Sequence, residues 1–365
     1  MHDRDAPAHL RRMRLRNPTF SGKESVIPQP PLAMEPPVIQ AYALRSGRIE
    51  RTEVDKPTPL AGDSLWVDLV QPTPEERGKV EAVYGLTLPT PEEAREIEPS
   101  DRLYSEGLAR FMTATILVHA DAPLPQRASI TFILTGRALI TLRYVEPRPV
   151  AIYAQKLLRG QEGCSCGEEA LVGLLESFID RIADILEKVN QDLDQVSQTI
   201  FAEGPTGQRG GGRDLQAVIR ALGRNDDLVS TIRESLLSLT RVISFLTATL
   251  TAVGDKSAKD MKARLKSARN DIVSLNEHAA FESHTINFQL DATLGMINIE
   301  QNGIIKIFSI AAVVFLPPTM VASIYGMNFK DMPELEWTAG YPWALGLMLV
   351  SALVPLIYFK RKGWL

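Results

Sequence analysis

Five positions near the C-terminus repeat at the spacing of one helix face and carry mostly polar side chains. Asp291, Asn298, Asn302, Ser309 and Leu316 are separated by 7, 4, 7 and 7 residues. At about 100° per residue they fall on one narrow face, named here the polar stripe. Between Ile307 and Leu316 the other faces carry only Ile, Phe, Ala and Val. Repeated by symmetry in a ring of copies, the polar stripe would line a water-filled path; the alternative is polar contacts inside a tight helix bundle.

The chemistry at the end of this segment suits a hydrated cation. Pro317 and Pro318 remove two backbone donors and are expected to loosen the helix, and the apolar run then ends at Tyr325-Gly326-Met327-Asn328. The Asn328 amide and nearby carbonyls offer oxygen atoms without full charge. Because Mg²⁺ sheds its water reluctantly, a ring of such oxygens would hold the hydrated ion through its waters and still release it.

Two segments without formal charge are long enough to cross a bilayer, Ile307–Met327 and Tyr341–Phe359. The loop between them holds three acids and one base. Three bases directly follow the second segment: Lys360, Arg361 and Lys362. The positive-inside rule therefore predicts both termini in the cytoplasm and the loop outside. The expected location is the cell (inner) membrane.

A long helical pattern precedes the first membrane segment. From Ala258 to Tyr325 a continuous helix would measure about 100 Å at 1.5 Å per residue, and only about 30 Å of it fits into hydrocarbon. The rest is predicted to project as a stalk with a coiled-coil-type apolar seam. The seam residues are Leu265, Ala268, Ile272, Leu275, Ala279 and Ile286. Two further long helices are predicted at Glu168–Glu203 and Asp214–Val253, antiparallel and joined by a Gly-rich turn.

The segment before these helices has a mixed pattern that favours a small α/β layer domain. A helix with an acidic first turn is predicted at Thr73–Tyr84. Five β-rich runs lie at Ile39–Leu44, Leu65–Val70, Phe111–Val118, Ser129–Leu134 and Leu139–Tyr144. The predicted organisation of this α+β membrane protein is a disordered extension (1–33), a cytoplasmic α/β domain (34–163), long helices and stalk (164–300), the stalk end with the first membrane helix (301–328), an outer loop (329–340), the second membrane helix (341–359) and a basic tail (360–365).

Other function classes find little support. The formal net charge of −4 argues against a nucleic-acid binder. The glycine cluster at 207–212 lacks the Lys-Ser/Thr of a phosphate-binding loop, so no nucleotide is predicted. Cys164 and Cys166 form a lone C-x-C pair without a nearby histidine to complete a zinc site. The scattered acids form no catalytic motif, so neither an enzyme nor a bound cofactor is expected.

Several short motifs resemble the CorA family of magnesium and cobalt transporters, in its proteobacterial branch. The motifs are Glu300-Gln301-Asn302, Ile305-Lys306-Ile307-Phe308, Phe315-Leu316-Pro317-Pro318-Thr319, Tyr325-Gly326-Met327-Asn328-Phe329, Met332-Pro333-Glu334-Leu335 and the basic ending from Tyr358 to Leu365. The match covers roughly Asp291 to the C-terminus. The earlier part of the chain agrees with the family in the order and size of its elements.

The resemblance implies influx of Mg²⁺ and Co²⁺ through a homopentameric funnel whose first membrane helix lines the pore. Position by position, it implies a selectivity filter at Gly326, Met327 and Asn328, metal-facing polar rings at Asn302 and Asp291, a pore hydroxyl at Thr319, a hydrophobic gate at Ile305, Phe308 and Leu316, an acidic outer loop at Glu334, and a basic collar at Lys360, Arg361 and Lys362. Mg²⁺ is thereby both the transported ion and a regulatory ion.

One departure and two alternatives stand beside this interpretation. Ser267 occupies the position at which some family members carry an aspartate that binds cytoplasmic Mg²⁺ between subunits, with Asp271 one turn later. The resemblance therefore implies closure by cytoplasmic Mg²⁺ without assigning its ligands.

A zinc-transporting relative of the same fold is one alternative function, which Met327 disfavours. A non-conducting membrane-anchored sensor is the other, and it gives no reason for a polar stripe that leads to Gly-Met-Asn.

Overall fold

The computed structural model describes residues 38–54, 60, 62–96, 98–122, 124–136, 138–201, 214–249, 256–328, 332–333 and 336–364. Its N-terminal part is a seven-stranded sheet in the order β2-β1-β3-β7-β6-β5-β4. The strands are β1 (Val38–Arg45), β2 (Arg48–Val54), β3 (Trp66–Val70), β4 (Leu103–Glu106), β5 (Ala109–Val118), β6 (Gln126–Thr135) and β7 (Ala138–Arg143). Neighbouring strands are antiparallel except β3 and β7, which run parallel.

All five expected strands are present, with ends that differ by a few residues. The two strands that the sequence analysis missed, β2 and β4, are the edge strands of the sheet. β2 is exposed along most of its length and rich in Arg and Glu, so it lacks the apolar signal of a buried strand. β4 has only four residues.

Helices cover both faces of the sheet. On one face, helix α1 (Pro74–Tyr84) packs through Val80 onto an apolar cluster that includes Phe111 and Ile140. Thr73 caps this helix: its Oγ1 accepts a hydrogen bond from the Glu76 N–H at 3.3 Å, and the Glu76 carboxylate accepts one from the Thr73 N–H at 2.7 Å. This reciprocal capping box explains why the expected helix begins here.

The other face carries the long helices. Helix α2 (Pro99–Arg102) is a single turn before β4, and α3 (Arg148–Leu158), which was not expected, follows β7. Helices α4 (Gly167–Phe201) and α5 (Leu215–Thr249) then cover the sheet and each other. Their expected Gly-rich connection lies outside the described residues, as do residues 1–33. Tyr153 of α3 packs directly against Gly173 of α4, where a larger side chain would overlap its ring.

Helix α6 (Lys256–Tyr325) continues for 70 residues, and α7 (Gly340–Arg361) follows it. The expected apolar seam of α6 is buried, apart from the partly buried Leu275. The seam packs on α4 and α5 of the same chain, so the three helices form one bundle and the coiled-coil interpretation of the seam is unnecessary. Arg264 of α6 also forms an ion pair with Glu176 of α4.

The helix does not end or loosen visibly at the two prolines. Helical backbone continues through Pro317 and Pro318 to Tyr325. Since neither proline has an N–H, the Val313 and Val314 carbonyls lose their usual intrahelical donors. Thr319 adds a side-chain bond on the next turn, because its Oγ1 donates to the Phe315 carbonyl at 2.8 Å.

Candidate ion pathway

Helices α6 and α7 both contain a stretch that is long and apolar enough to cross a membrane. None of the most apolar stretch of α6 is buried within the chain, and 11% of that of α7 is buried. A core helix of a soluble protein would be mostly buried, so these helices need another apolar environment. Both facts fit a protein with two membrane helices at its C-terminus.

The membrane half of α6 uses one face to contact α7. Its less exposed positions recur every three or four residues, and they include Lys306, Ile310, Val314, Val321 and Tyr325. At 100° per residue this face lies about 110° around the helix from the polar stripe. The polar stripe therefore does not face α7.

All five positions of the polar stripe are exposed in the single chain. In the stalk, the opposite face of α6 is the buried one: Gln289 donates from Nε2 to the Leu193 carbonyl of α4 at 3.0 Å, and Thr293 is fully buried. These two residues lie about 160° from Asp291 around the helix. The polar stripe thus faces away from α7 and from the buried stalk face of α6, which leaves it available to water or to other copies of the chain.

The three expected gate residues are exposed, but they do not share one face. Ile305, Phe308 and Leu316 are 61%, 71% and 65% exposed. Ile305 and Leu316 lie within about 40° of the polar stripe, whereas Phe308 lies about 100° from it on the side away from α7. Thr319 lies on the same side as Phe308, with its hydroxyl bonded to its own helix. Phe308 therefore lies neither on the polar stripe nor on the face that contacts α7.

The tip of α6 is formed by the Gly-Met-Asn sequence. Gly326 donates its N–H to the Ala322 carbonyl at 2.9 Å, and Met327 donates to Ile324 at 3.3 Å, so the last turn tightens and stops. A Cβ added at Gly326 would lie 3.0 Å from the Ala322 oxygen, so a larger residue would crowd the backbone of this last turn. Asn328 is exposed just beyond this turn. Glu334, expected in the outer loop, lies outside the described residues.

The opposite end of α7 carries an aromatic and basic cluster that the sequence analysis did not recognise as a unit. Gly363 has φ +69°, and Trp364 donates its N–H to the Phe359 carbonyl at 3.0 Å, so the tail folds back after Arg361. The Trp364 ring stacks on Phe359 with centroids 5.4 Å apart. The ammonium groups of Lys306 and Lys362 lie 5.6 and 5.2 Å from the Trp364 ring centroid.

This cluster connects the two membrane helices, because Lys306 belongs to α6 and Trp364 follows α7. Gly363, which follows the bases at the end of α7, was the sequence signal that could have indicated this turn. Lys360 and Arg361, the other members of the expected basic collar, are exposed beside it. Four bases are thus gathered at one end of the apolar pair.

The stalk positions considered for regulation are also on the surface. Ser267 and Asp271 are both exposed on α6. Within the described residues of one chain, no three His, Cys, Asp or Glu side chains converge to hold a metal ion. Cys164 is buried, and burial raises the pKa of its thiol to about 12.

Taken together, the sheet domain, the three-helix bundle and the exposed apolar helices define a two-span membrane protein whose first span is the end of a stalk helix. A family model described as "CorA-like Mg2+ transporter protein" matches residues 61–361. The chain belongs to this CorA family.

Relatives support this membership over nearly the whole chain. The magnesium transport protein CorA of Yersinia pseudotuberculosis serotype I (strain IP32953) is 36% identical, covering 90% of this chain and 100% of the relative. That of Escherichia coli (strain K12) is 34% identical with the same coverage. The complete structure of the CorA magnesium transporter from Methanocaldococcus jannaschii superimposes with a TM-score of 0.71 at 17% identity, covering 91% of this chain and 100% of that one.

Proposed function

We propose that this chain is a channel for Mg²⁺, and for Co²⁺, through which the ions enter the cell as hydrated cations. The observation that carries the proposal is the exposed polar stripe on a membrane helix, which faces neither α7 nor the stalk bundle. A polar stripe in hydrocarbon costs free energy, so it requires water or further protein. The family and the names of the curated relatives supply the identity of the ion.

In this proposal five copies surround one axis, and the polar stripe of each copy faces that axis. A single helix offers one side chain at each level, so Asp291, Asn298, Asn302 and Ser309 become rings only when copies meet. Ile305 and Leu316 interrupt the polar levels and form the gate, which closes by excluding water. Phe308 and Thr319, which lie to the side, contact the neighbouring copy next to the axis.

Gly326, Met327 and Asn328 form the outer filter. The tight last turn holds Asn328 beyond the end of the helix, where five amide groups would hydrogen-bond to the water shell of Mg²⁺. An amide ring carries no net charge, so it holds the ion loosely enough for release. Glu334 in the outer loop concentrates cations in front of this filter.

The membrane potential supplies the driving force. With both termini in the cytoplasm and the basic collar of Lys360, Arg361 and Lys362 at the inner side, a divalent ion moving inward gains about 4.6 kcal/mol per 100 mV, from about 2.3 kcal/mol per elementary charge. Rising cytoplasmic Mg²⁺ binds between the stalks and closes the pore. The transport role makes an enzymatic function unnecessary.

The test is Mg²⁺ flux into liposomes containing the purified protein, with and without an imposed potential. We expect flux that increases with an inside-negative potential and that accepts Co²⁺. A chain that carries Zn²⁺ and excludes Mg²⁺ would be a zinc transporter, and vesicles that remain impermeable at every potential and internal Mg²⁺ level would indicate a sensor. Met327 and the named magnesium relatives favour the magnesium channel.

The sharpest variant is Asn328→Ala. It removes the amide from all five copies while it leaves the tight turn at Gly326 intact, so at about 0.5–1.5 kcal/mol per lost amide the barrier rises by about 2.5 kcal/mol or more, and we expect Mg²⁺ uptake to be abolished. Asn190→Ala is the matched control, because Asn190 is an exposed asparagine on α4. Size-exclusion chromatography checks assembly of both variants. Normal flux in the assembled Asn328→Ala protein would contradict the filter.

A further inference from the structure

A second feature of the chain lies in the sheet domain, at the edge of β5. β4 pairs only with the first part of β5, from Ala109 to Met112, and no other strand of the described residues pairs with the rest of that edge. Ser238 of α5 satisfies one backbone donor of this edge that has no strand partner, because its Oγ accepts a hydrogen bond from the Thr115 N–H at 2.8 Å. Arg102, the last residue of α2, donates from Nη1 to the Thr115 hydroxyl at 2.9 Å. The short edge strand thus leaves an opening that a guanidinium borders.

A cavity of about 500 Å³ lies in this opening. Three arginines line it, Arg95, Arg102 and Arg127, and it is named here the arginine cavity. Glu234 of α5 is the only acid that lines it among the described residues. One side of the wall comes from Pro91, Ala94, Tyr144 and Val145, and Thr115, Ala128 and Ser129 of β5 and β6 complete the lining. The cavity therefore combines an excess of positive charge with an apolar side.

The single acid does not neutralise this charge. Glu234 forms an ion pair with Arg127 at 2.9 Å, with both side chains about half exposed. Within the described part of the chain, Arg102 has no carboxylate within ion-pair distance, and its buried Nε has no acceptor. Burial lowers the pKa of Arg102, and the charge of Glu234 only partly opposes this shift. A half-buried guanidinium without a counter-ion costs free energy that an anion would recover.

We propose that the arginine cavity binds a phosphate ester of the cytoplasm, with its phosphate groups on Arg102, Arg95 and Arg127. A guanidinium matches phosphate oxygens with two parallel hydrogen bonds, which favours phosphate over a spherical anion. The volume exceeds that of a single phosphate and falls in the range of small-molecule sites. The wall beside Tyr144 accepts the organic part, and two linked phosphates engage more than one arginine.

The proposal is tested by calorimetric titration of the full-length protein in detergent at low ionic strength. The probes are inorganic phosphate, pyrophosphate and ADP. We expect pyrophosphate and ADP to bind, phosphate to bind more weakly, and all affinities to fall as salt is added. The measurement requires no ion flux, so its outcome is independent of the channel proposal.

Variants locate the binding in the cavity. Arg102→Met and Arg95→Gln should each weaken ADP binding about tenfold or more, because each removes a charge-assisted hydrogen bond. Arg95 is exposed, so its substitution keeps the test valid if Arg102→Met fails to fold. Arg159→Gln, at an exposed arginine that follows α3, should bind as the unmodified protein does.

Two results would overturn the proposal. One is the absence of heat from all three probes at low salt. If Arg95→Gln also altered the oligomeric state in that case, an acidic side chain of a second copy would be the group that binds in the cavity. The other is equal ADP affinity in the Arg95→Gln, Arg102→Met and unmodified proteins.

Discussion

Replacing Ser309 by alanine removes the one hydroxyl of the polar stripe within the apolar part of α6. On the stripe face, Ser309 lies seven residues beyond Asn302, about 10.5 Å along the axis. In the proposed ring the variant removes five hydroxyl groups that hydrogen-bond to water or to the water shell of the ion. At about 0.5–1.5 kcal/mol each, the barrier rises by about 2.5 kcal/mol or more, and the Mg²⁺ flux should fall about seventyfold or more.

The matched control is Ser351→Ala on α7. Ser351 is also a serine in a membrane helix, but its Oγ donates to the Met348 carbonyl of its own helix at 2.8 Å. Initial rates of Mg²⁺ entry into liposomes at a fixed potential, normalised to assembled protein, give the comparison. Equal rates for the Ser309→Ala and Ser351→Ala proteins would refute an axis-facing stripe and favour the helix-bundle alternative.

Three further predictions concern stability and assembly. Asp68→Ala should lower the free energy of unfolding by about 3–5 kcal/mol, measured by chemical denaturation of the purified protein, because Arg143 loses its buried partner at 2.8 Å; a loss under 1 kcal/mol would contradict this. Burial raises the pKa of Glu282, which is 3% exposed and faces His278 and Asp194. The folded state therefore holds the Glu282 proton more tightly than the unfolded state, and the free energy of unfolding falls as pH rises above the unfolded pKa. Glu282→Gln should raise Tm more at pH 8 than at pH 5, and equal shifts at the two pH values would count against this assignment. Trp364→Leu should remove the ring that lies beside the Lys306 ammonium and lower Tm in detergent. Trp337→Leu, at the other end of α7, should lower Tm less. A larger decrease for Trp337→Leu would show that the cluster does not link the two helices.

The fold was predictable wherever the apolar pattern had one dominant period. The strands β5, β6 and β7 are buried on both faces and appear as apolar runs, and α6 maintains helical spacing over its whole length. β2 was not predictable because its side chains face solvent. Helix α3 was missed because it is short and begins among prolines, which indicate a turn as readily as a helix start.

The candidate site was predictable to the level of one helix face. Helical geometry fixes the polar stripe, and the structure leaves that stripe exposed. The same helical geometry places Phe308 about 100° away from the polar stripe. The match of short motifs, which assigned Phe308 to the gate, carries no information about helix faces. The cluster of Lys306 and Trp364 joins residues far apart in sequence, so only the packing of α6 on α7 brings them together.

The uninterrupted course of α6 has a mechanical consequence. Up to Thr293 the helix is held against α4 and α5, and the remaining stretch to Tyr325, about 48 Å at 1.5 Å per residue, projects beyond this contact and bears Gly326 just past its end. A tilt of about 3° where the helix leaves the bundle displaces the far end by about 2.5 Å, by leverage over the projecting length. Small shifts of packing beside the sheet are thereby enlarged at the Gly-Met-Asn tip.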